Sequence, residues 1–123
     1  MGNERIVFRL AERGEFLGSR KLGAEIRHEL EAALDHGKNV VVDFERITMV
    51  SHSFADELIG KLAAALGLEA FRLRMRLIKV VPEIAPILRY VISNRLAEQA
   101  HSHEELVTPS TAASKAQTGQ VAK

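Results

Sequence analysis

The sequence contains no cysteine. Without thiols the chain cannot form disulfides, use a cysteine nucleophile or bind zinc through thiolates. The absence fits a reducing, intracellular compartment. At 123 residues the chain is long enough to bury a single core as one domain without those supports.

The chain also has little net charge and no long hydrophobic run. Its formal charge of +1 predicts no global attraction to nucleic acid or membrane, so any electrostatic binding must be local. No stretch approaches the roughly 20 apolar residues that a membrane helix needs. The N-terminal residues Met1–Arg5 contain no apolar signal core. We therefore expect a cytoplasmic protein that does not engage a membrane.

Short segments rich in apolar residues predict the strands. Some of these segments alternate polar and apolar residues, and others are β-branched runs that suit an interior strand. The predicted strands are Arg5–Leu10, a short one at Phe16–Gly18, Asn39–Phe44 and Phe71–Val80.

Three segments between and after these strands carry apolar residues at helical spacing. The first predicted helix begins after Ser19, its N-cap, and ends near His36. The second runs from about Phe54 to Leu66, and the third from about Pro82 to Gln99. Gly37 and Gly67 follow the first two helices, where a glycine commonly ends a helix. Strands that alternate with helices predict an α/β fold with a mostly parallel sheet and right-handed crossovers.

The composition changes near residue 101. From His101 onwards the chain is rich in Ser, Thr, Ala, Gln and Lys and has almost no large apolar residues. Such a segment cannot bury enough surface to offset the entropy of ordering. We predict one domain over residues 1–100 and a disordered polar tail over residues 101–123.

A polar motif follows the third predicted strand, at the start of the second long helix. Ser53 precedes Asp56 by three residues, which resembles a capping box, and Asp56 and Glu57 lie near the positive end of the helix dipole. This favours a helix cap. Phosphorylation of Ser51 or Ser53 is the alternative, favoured by the helix N-terminus but opposed by both carboxylates. His52 is a candidate recognition residue or a phosphorylatable histidine.

The same motif does not predict catalysis. Adjacent residues at a strand–helix junction diverge, so Ser53 and His52 are poorly placed as a nucleophile and its base. The chain has no Gly-x-Ser-x-Gly elbow and no Gly-rich phosphate loop. Asp43, at the end of a strand, is read as a group that binds nearby backbone N–H groups, with a catalytic role as the alternative. We expect no enzymatic activity, no metal and no cofactor.

Arginines recur in two predicted strands. Arg72, Arg74 and Arg76 share one face of the last strand, and Arg5 and Arg9 share one face of the first. If both sets lie on the same side of one sheet, they form a basic face. That face either protects an edge strand from aggregation or binds a partner with acidic groups. Nucleic acid is the alternative partner, although the small net charge and the lack of interleaved aromatics argue against it.

The central segment resembles a known family. Val40–Phe44 and then Ile47–Leu58, which contains the hexapeptide SFADEL, are similar to the "DF…V…S.SFADEL" signature of a STAS-like family of unknown function. Phe16–Arg20 resembles the Ser/Thr-Arg pair that precedes the first long helix in that family. The similarity extends over roughly residues 5–96. It implies a STAS-like single α/β domain with a four-stranded, mostly parallel or mixed sheet and helices mainly on one face.

More distantly, the segment is similar to the STAS domains of anti-sigma factor antagonists, in which an Asp-Ser-Ser-Gly sequence begins this helix. Ungapped alignment places their phosphorylated serine on His52, the preceding aspartate on Ser51, the second serine on Ser53 and the glycine on Phe54. Histidine therefore replaces the phosphoacceptor. We expect the fold to be shared and the usual phosphoserine switch to be lost.

The resemblance implies a non-enzymatic regulatory module of a bacterial signalling switch. The implied partner is a histidine-kinase-like ATPase or another signalling protein. The residues expected to bind it are Ser51, His52, Ser53, Phe54, Asp56, Glu57 and Arg20. The rival hypothesis is a nucleic-acid-binding module that uses Arg72, Arg74 and Arg76.

Overall fold

The computed structural model describes residues 4–14 and 16–107, with side chains as far as residue 99. The strands are β1 (Arg5–Arg9), β2 (Asn39–Asp43) and β3 (Met75–Ile78). The α-helical segments are α1 (Arg20–Asp35), α2 (His52–Ala55), α3 (Lys61–Leu66), α4 (Leu68–Arg74) and α5 (Ala85–Val107), and a 3-10 turn covers Leu10–Arg13. A π-helical turn (Asp56–Gly60) joins α2 to α3. We call the continuous run over residues 52–66 the central helix.

The three strands form one parallel sheet in the order β1-β2-β3. Together with α1, the central helix, α4 and α5, this confirms the predicted α/β class. Within the described residues the predicted fourth strand at Phe16–Gly18 is wrong, because only Leu17 pairs there, in an isolated parallel bridge with Val50. Because Ser19 already caps α1, too few residues remain between Leu17 and this helix to extend the bridge into a paired strand.

The predicted strand Phe71–Val80 is mostly helical in its first half. Phe71 packs in the core from α4, whereas Leu73 is 76% exposed, so the apolar alternation does not mark one buried face. The Arg74 guanidinium turns back and donates to the carbonyl oxygens of Leu34 and Lys38, at 2.8 and 2.9 Å. The prediction that Arg72 and Arg74 share a strand face with Arg76 is therefore wrong.

The two faces of the sheet differ in burial. Val40, Val42 and Met75 belong to the core together with Ile26 of α1 and Leu58 of the central helix. The opposite face, which we call the open face, carries exposed side chains at aligned positions of the register. Its exposed residues are Arg5, Val7, Arg9 and Arg76.

Two glycines end helices as predicted. Gly37, after α1, has φ 81°, and Gly67, between α3 and α4, has φ 86°. Both values lie in the left-handed region that glycine adopts without a steric penalty. These turns set where the chain enters β2 and α4.

The last helix extends past its predicted end near Gln99, to Val107. It therefore includes the first residues of the segment predicted to be disordered, and the rest of that segment, residues 108–123, lies outside the described residues. In the part of the chain that the structure describes, no helix is long and apolar enough to cross a membrane.

Candidate functional site

Ser51, and not Ser53, caps the central helix. The Ser51 hydroxyl oxygen accepts a hydrogen bond from the Phe54 N–H at 2.9 Å, and the hydroxyl donates to the Gly18 carbonyl at 2.8 Å. The predicted Ser53 cap is wrong because the helix begins at His52, which puts Ser53 inside the first turn. The cap thus also ties the central helix to the segment before α1.

The cap of α1 is the one that the sequence predicts. The Ser19 hydroxyl oxygen accepts from the Leu22 N–H at 3.0 Å. This bond satisfies one of the free N–H groups of the first turn. It fixes the position of Arg20, whose side chain extends toward the central helix.

Asp56 lies inside the molecule and binds two arginines. Its carboxylate accepts hydrogen bonds from Arg95 at 2.8 and 2.6 Å and from Arg20 at 3.1 Å. The Arg95 bonds are the main reason that the pKa of Asp56 falls to about 2; burial opposes them, and Arg20 adds to the lowering. Asp56 is therefore an ionised structural group at neutral pH.

Glu57 has a similar environment. Burial acts to raise the pKa of Glu57, but hydrogen bonds from Arg27, Lys61 and Arg20 outweigh it and lower the pKa to about 2. The three donors lie 2.9, 3.1 and 3.1 Å from its carboxylate oxygens. Arg27 also donates to the Glu57 backbone carbonyl at 3.0 Å, a group inside the π-helical turn.

These side chains form what we call the carboxylate network, which connects α1, the central helix and α5. Its members are Asp56, Glu57, Arg20, Arg27, Lys61 and Arg95. Arg27 and Arg95 were not identified from the sequence, because nothing local relates them to carboxylates 30 or 39 residues away. Lys61 was not predicted either, although its i,i+4 spacing from Glu57 is a local signal that could have identified it.

Burial separates the residues predicted to bind a partner into two groups. Phe54, Asp56 and Glu57 are only 1%, 5% and 7% exposed. Their side chains hold helices together and do not form part of the surface. His52 and Arg20 are exposed, and Ser51 and Ser53 are half-buried.

Large exposed side chains surround the same strand–helix junction. Leu17 pairs with Val50, and the residues that precede them in the chain, Phe16 and Met49, are 81% and 63% exposed. The His52 ring lies 5.3 Å from the ring of Tyr90, which is 56% exposed. We call these four residues the junction patch: Phe16, Met49, His52 and Tyr90. Of these four, only His52 was predicted from the sequence.

The arginines predicted to form a basic face divide between two places. Arg76 lies on the open face, aligned through Val41 with Val7 of β1, and Arg5 and Arg9 lie on the same face. Arg72 and Arg74 belong to α4, where Arg74 is bound to backbone carbonyls. The basic part of the open face therefore consists of Arg5, Arg9 and Arg76.

A cavity of about 330 Å³ lies at the carboxyl ends of β1 and β2. Asp43 contributes to its wall and is 4% exposed. One carboxylate oxygen of Asp43 accepts from the Glu45 N–H at 2.9 Å, which confirms the predicted bond to a nearby backbone N–H.

Comparison with known proteins identifies the family. The model of a family described as "STAS-like domain of unknown function (DUF4325)" matches residues 23–85, just over half of the chain. The chain therefore belongs to this STAS-like family. The match includes SFADEL, Arg27 and Lys61, whereas Arg20 and Arg95 lie outside it. No significant match was found among curated proteins or among solved structures.

Proposed function

We propose that this protein is a non-enzymatic regulatory module that binds a protein partner through the junction patch. The exposure of two large apolar side chains, Phe16 and Met49, next to the paired residues Leu17 and Val50 carries the proposal. Clustered exposed apolar side chains are typical of protein interaction sites. Aromatic residues and methionine are also enriched in interfaces.

Hydrogen bonds hold the backbone of the junction patch in place. Ser51 ties the helix start to Gly18, and the Ser51 N–H donates to the Leu17 carbonyl at 3.0 Å. A surface that is ordered before binding loses less conformational entropy when a partner docks. The exposed His52 adds a polar group to the patch, and Arg20, whose guanidinium binds Asp56 and Glu57, is also exposed.

The proposed partner is a histidine-kinase-like ATPase or another signalling protein of a bacterial switch. This rests on the similarity of the SFADEL segment to STAS domains of anti-sigma factor antagonists. His52 replaces their phosphoacceptor and lies on the surface beside Tyr90, which suits recognition. The Ser51 hydroxyl is engaged as both donor and acceptor, so phosphate there would disrupt the cap. Recognition without a switch at Ser51 is therefore the favoured mechanism, and phosphorylation of Ser53 stays the alternative.

Capture followed by a direct binding measurement tests this proposal. Cross-linking in the source cells and mass spectrometry would identify the partner, and titration calorimetry with the purified partner would measure its affinity. We expect Phe16→Ala with Met49→Ala to weaken binding at least tenfold, as two central apolar contacts commonly do. Leu73→Ala is a matched control, since Leu73 is 76% exposed on α4.

Circular dichroism should show that both variants remain folded. Equal affinity of the parent and the Phe16/Met49 double variant would contradict the proposal. So would a larger loss in the Leu73 variant than in the double variant, because the binding surface would then lie on α4.

A second candidate function is nucleic-acid binding on the open face. The observation that favours it is the alignment of exposed Arg5, Arg9 and Arg76 on one side of the sheet. Fluorescence anisotropy with a labelled single-stranded oligonucleotide should then show affinity that falls steeply with salt and is lost when all three become alanine. No binding at low salt would exclude this candidate.

A further inference from the structure

The cavity at the carboxyl ends of β1 and β2 has the size of a small-molecule site. Open α/β sheets bind ligands at this end where the strand order reverses. Among the described residues the order β1-β2-β3 has no such reversal, so the size and the lining of the cavity carry the inference. The cavity volume of about 330 Å³ lies at the lower end of the usual range for such sites, roughly 300–1,000 Å³. The lining residues carry both signs of charge: Arg9, Ala11, Glu12, Asp43, Glu45 and Arg46.

Asp43 has an unsatisfied carboxylate oxygen in this cavity. Its side chain is 6% exposed, and Oδ1 accepts from the Glu45 N–H at 2.9 Å. Oδ2 lies 4.0 Å from Nε of Arg9, well beyond the roughly 3 Å of a hydrogen bond. Within residues 4–14 and 16–99, no donor forms a hydrogen bond with Oδ2. A buried carboxylate oxygen without a donor is unfavourable, so this atom is suited to a donor from outside the chain.

The backbone around the cavity is strained. Arg46, in the cavity wall, has φ 72°, and Lys79, which follows β3, has φ 58°. Neither is glycine, and a left-handed backbone is unfavourable for a residue with a side chain. The Lys79 ammonium contacts the Glu45 carboxylate at 3.5 Å, so Glu45 already has a cationic partner. Arg9, which forms a 4.0 Å ion pair with Asp43, and Arg46 are the cationic residues of the cavity lining.

We propose that this cavity binds a small zwitterionic molecule of the amino-acid class. Its ammonium would donate to Asp43 Oδ2, and its carboxylate would lie beside Arg9 and Arg46. A simple cation would satisfy Asp43 but would face two guanidiniums, and a simple anion would face Asp43 and Glu12. Only a ligand with both charges matches this lining. The site shares no residue with the junction patch, so the inference is independent of the proposed partner.

Amide chemical-shift titration of the ¹⁵N-labelled full chain tests this inference. The probes are pools of the free amino acids, with ethylammonium and acetate as single-function controls and ribose as an uncharged control. We expect saturable shifts at amides lining the cavity with at least one amino acid, and weaker responses to all three controls. The inference is overturned by no saturable shift at tens of millimolar, or by an equal response to a single-function control.

Two variants separate ligand binding from folding. Asp43→Asn should weaken the amino acid's binding at least tenfold, because the carboxylate that binds the ammonium is gone. Arg46→Gly should weaken it severalfold while the fold persists, since glycine accepts the left-handed backbone. Arg76→Ala, on the open face but outside the cavity lining, should bind as the parent does. If Asp43→Asn does not fold, the Arg46→Gly variant alone tests the inference. An affinity for the amino acid equal to that of the unmodified protein then overturns it.

Discussion

Arg95 and Asp56 are joined by two hydrogen bonds, from Nε to Oδ1 at 2.8 Å and from Nη2 to Oδ2 at 2.6 Å, although 39 residues separate them. Bidentate bonds between a guanidinium and a carboxylate are strong and directional. This pair fixes α5 against the π-helical turn of the central helix. Arg20 reaches the same carboxylate from α1, so one buried side chain holds three helices.

Replacing Asp56 should destabilise the fold. In Asp56→Ala the Arg95 guanidinium, whose side chain is 28% exposed, loses its two strongest bonds. Removing one member of a buried ion pair typically costs 3–5 kcal/mol, and because Arg95 is partly exposed we expect a loss of ~3 kcal/mol. Urea denaturation would measure the change in the free energy of unfolding.

Glu98→Ala is the matched control for that change. Glu98 lies 3.9 Å from Arg95, but its side chain is 61% exposed, so its removal should change stability by no more than ~0.5 kcal/mol. Similar losses in the Asp56 and Glu98 variants would show that the buried bonds of Arg95 contribute little to the fold.

The carboxylate network should make stability depend on acid pH. Asp56 and Glu57 have ordinary pKa values of 3.8 and 4.5, and both fall to about 2 in the folded protein. The unfolded chain therefore binds more protons over this interval. The stabilisation is fully present above about pH 5 and is lost as the pH falls toward 2.

Denaturation midpoints measured from pH 7 down to pH 2.5 would follow this loss. Glu57→Gln should be less stable than the parent at pH 7, and its stability should change less between pH 5 and 2.5 because one titrating group is gone. A Glu57→Gln profile parallel to that of the parent would show that Glu57 does not cause the acid sensitivity.

Ser51 should matter more than Ser53 for stability. Ser51→Ala removes the cap of the Phe54 N–H and the bond to the Gly18 carbonyl. Loss of an N-cap typically costs about 1 kcal/mol, and the second bond adds to it. Ser53→Ala, inside the first turn, should be nearly neutral. Thermal unfolding would compare the two, and a larger loss in Ser53→Ala would contradict the observed cap.

Gly60 should not tolerate a methyl group. A Cβ at this position would lie 2.8 Å from Asp56 Oδ1, 3.1 Å from Arg95 Cγ and 3.2 Å from the Val91 carbonyl oxygen. Because Arg95 holds Asp56 in place, relief requires α5 to move, and such overpacking typically costs 1–3 kcal/mol. Chemical denaturation of Gly60→Ala would measure this loss.

Gly18→Ala provides the comparison, because a Cβ there meets nothing within 4 Å. Alanine also keeps the carbonyl that accepts from Ser51. We expect Gly18→Ala to be neutral or slightly stabilising, since alanine restricts the unfolded chain more than glycine does. A Gly60→Ala variant as stable as Gly18→Ala would contradict the close packing of the central helix against α5.

Features that depend on neighbours in sequence were predictable. Helical spacing of apolar residues identified α1, the central helix and α5, and Ser19, Gly37 and Gly67 identified helix ends. The same reasoning failed for Phe71–Arg74, whose alternating apolar and charged residues are compatible with either a strand or a short helix. There the buried position of Phe71 and the bonds from Arg74 to Leu34 and Lys38 favour the helix, and both involve distant parts of the chain.

The sequence by itself determined the α/β class, the family and the helix start near SFADEL, because periodicity and short motifs are local properties. Only the tertiary structure decided what the polar residues of that motif do. Asp56 and Glu57 turn inward because Arg95, Arg27 and Arg20 meet them from other helices, and Ser51 caps because the helix begins at His52. The pairing of Leu17 with Val50 brings the segments that carry the exposed Phe16 and Met49 to the same strand–helix junction. Such contacts arise when segments far apart in sequence pack together, and no local pattern encodes them.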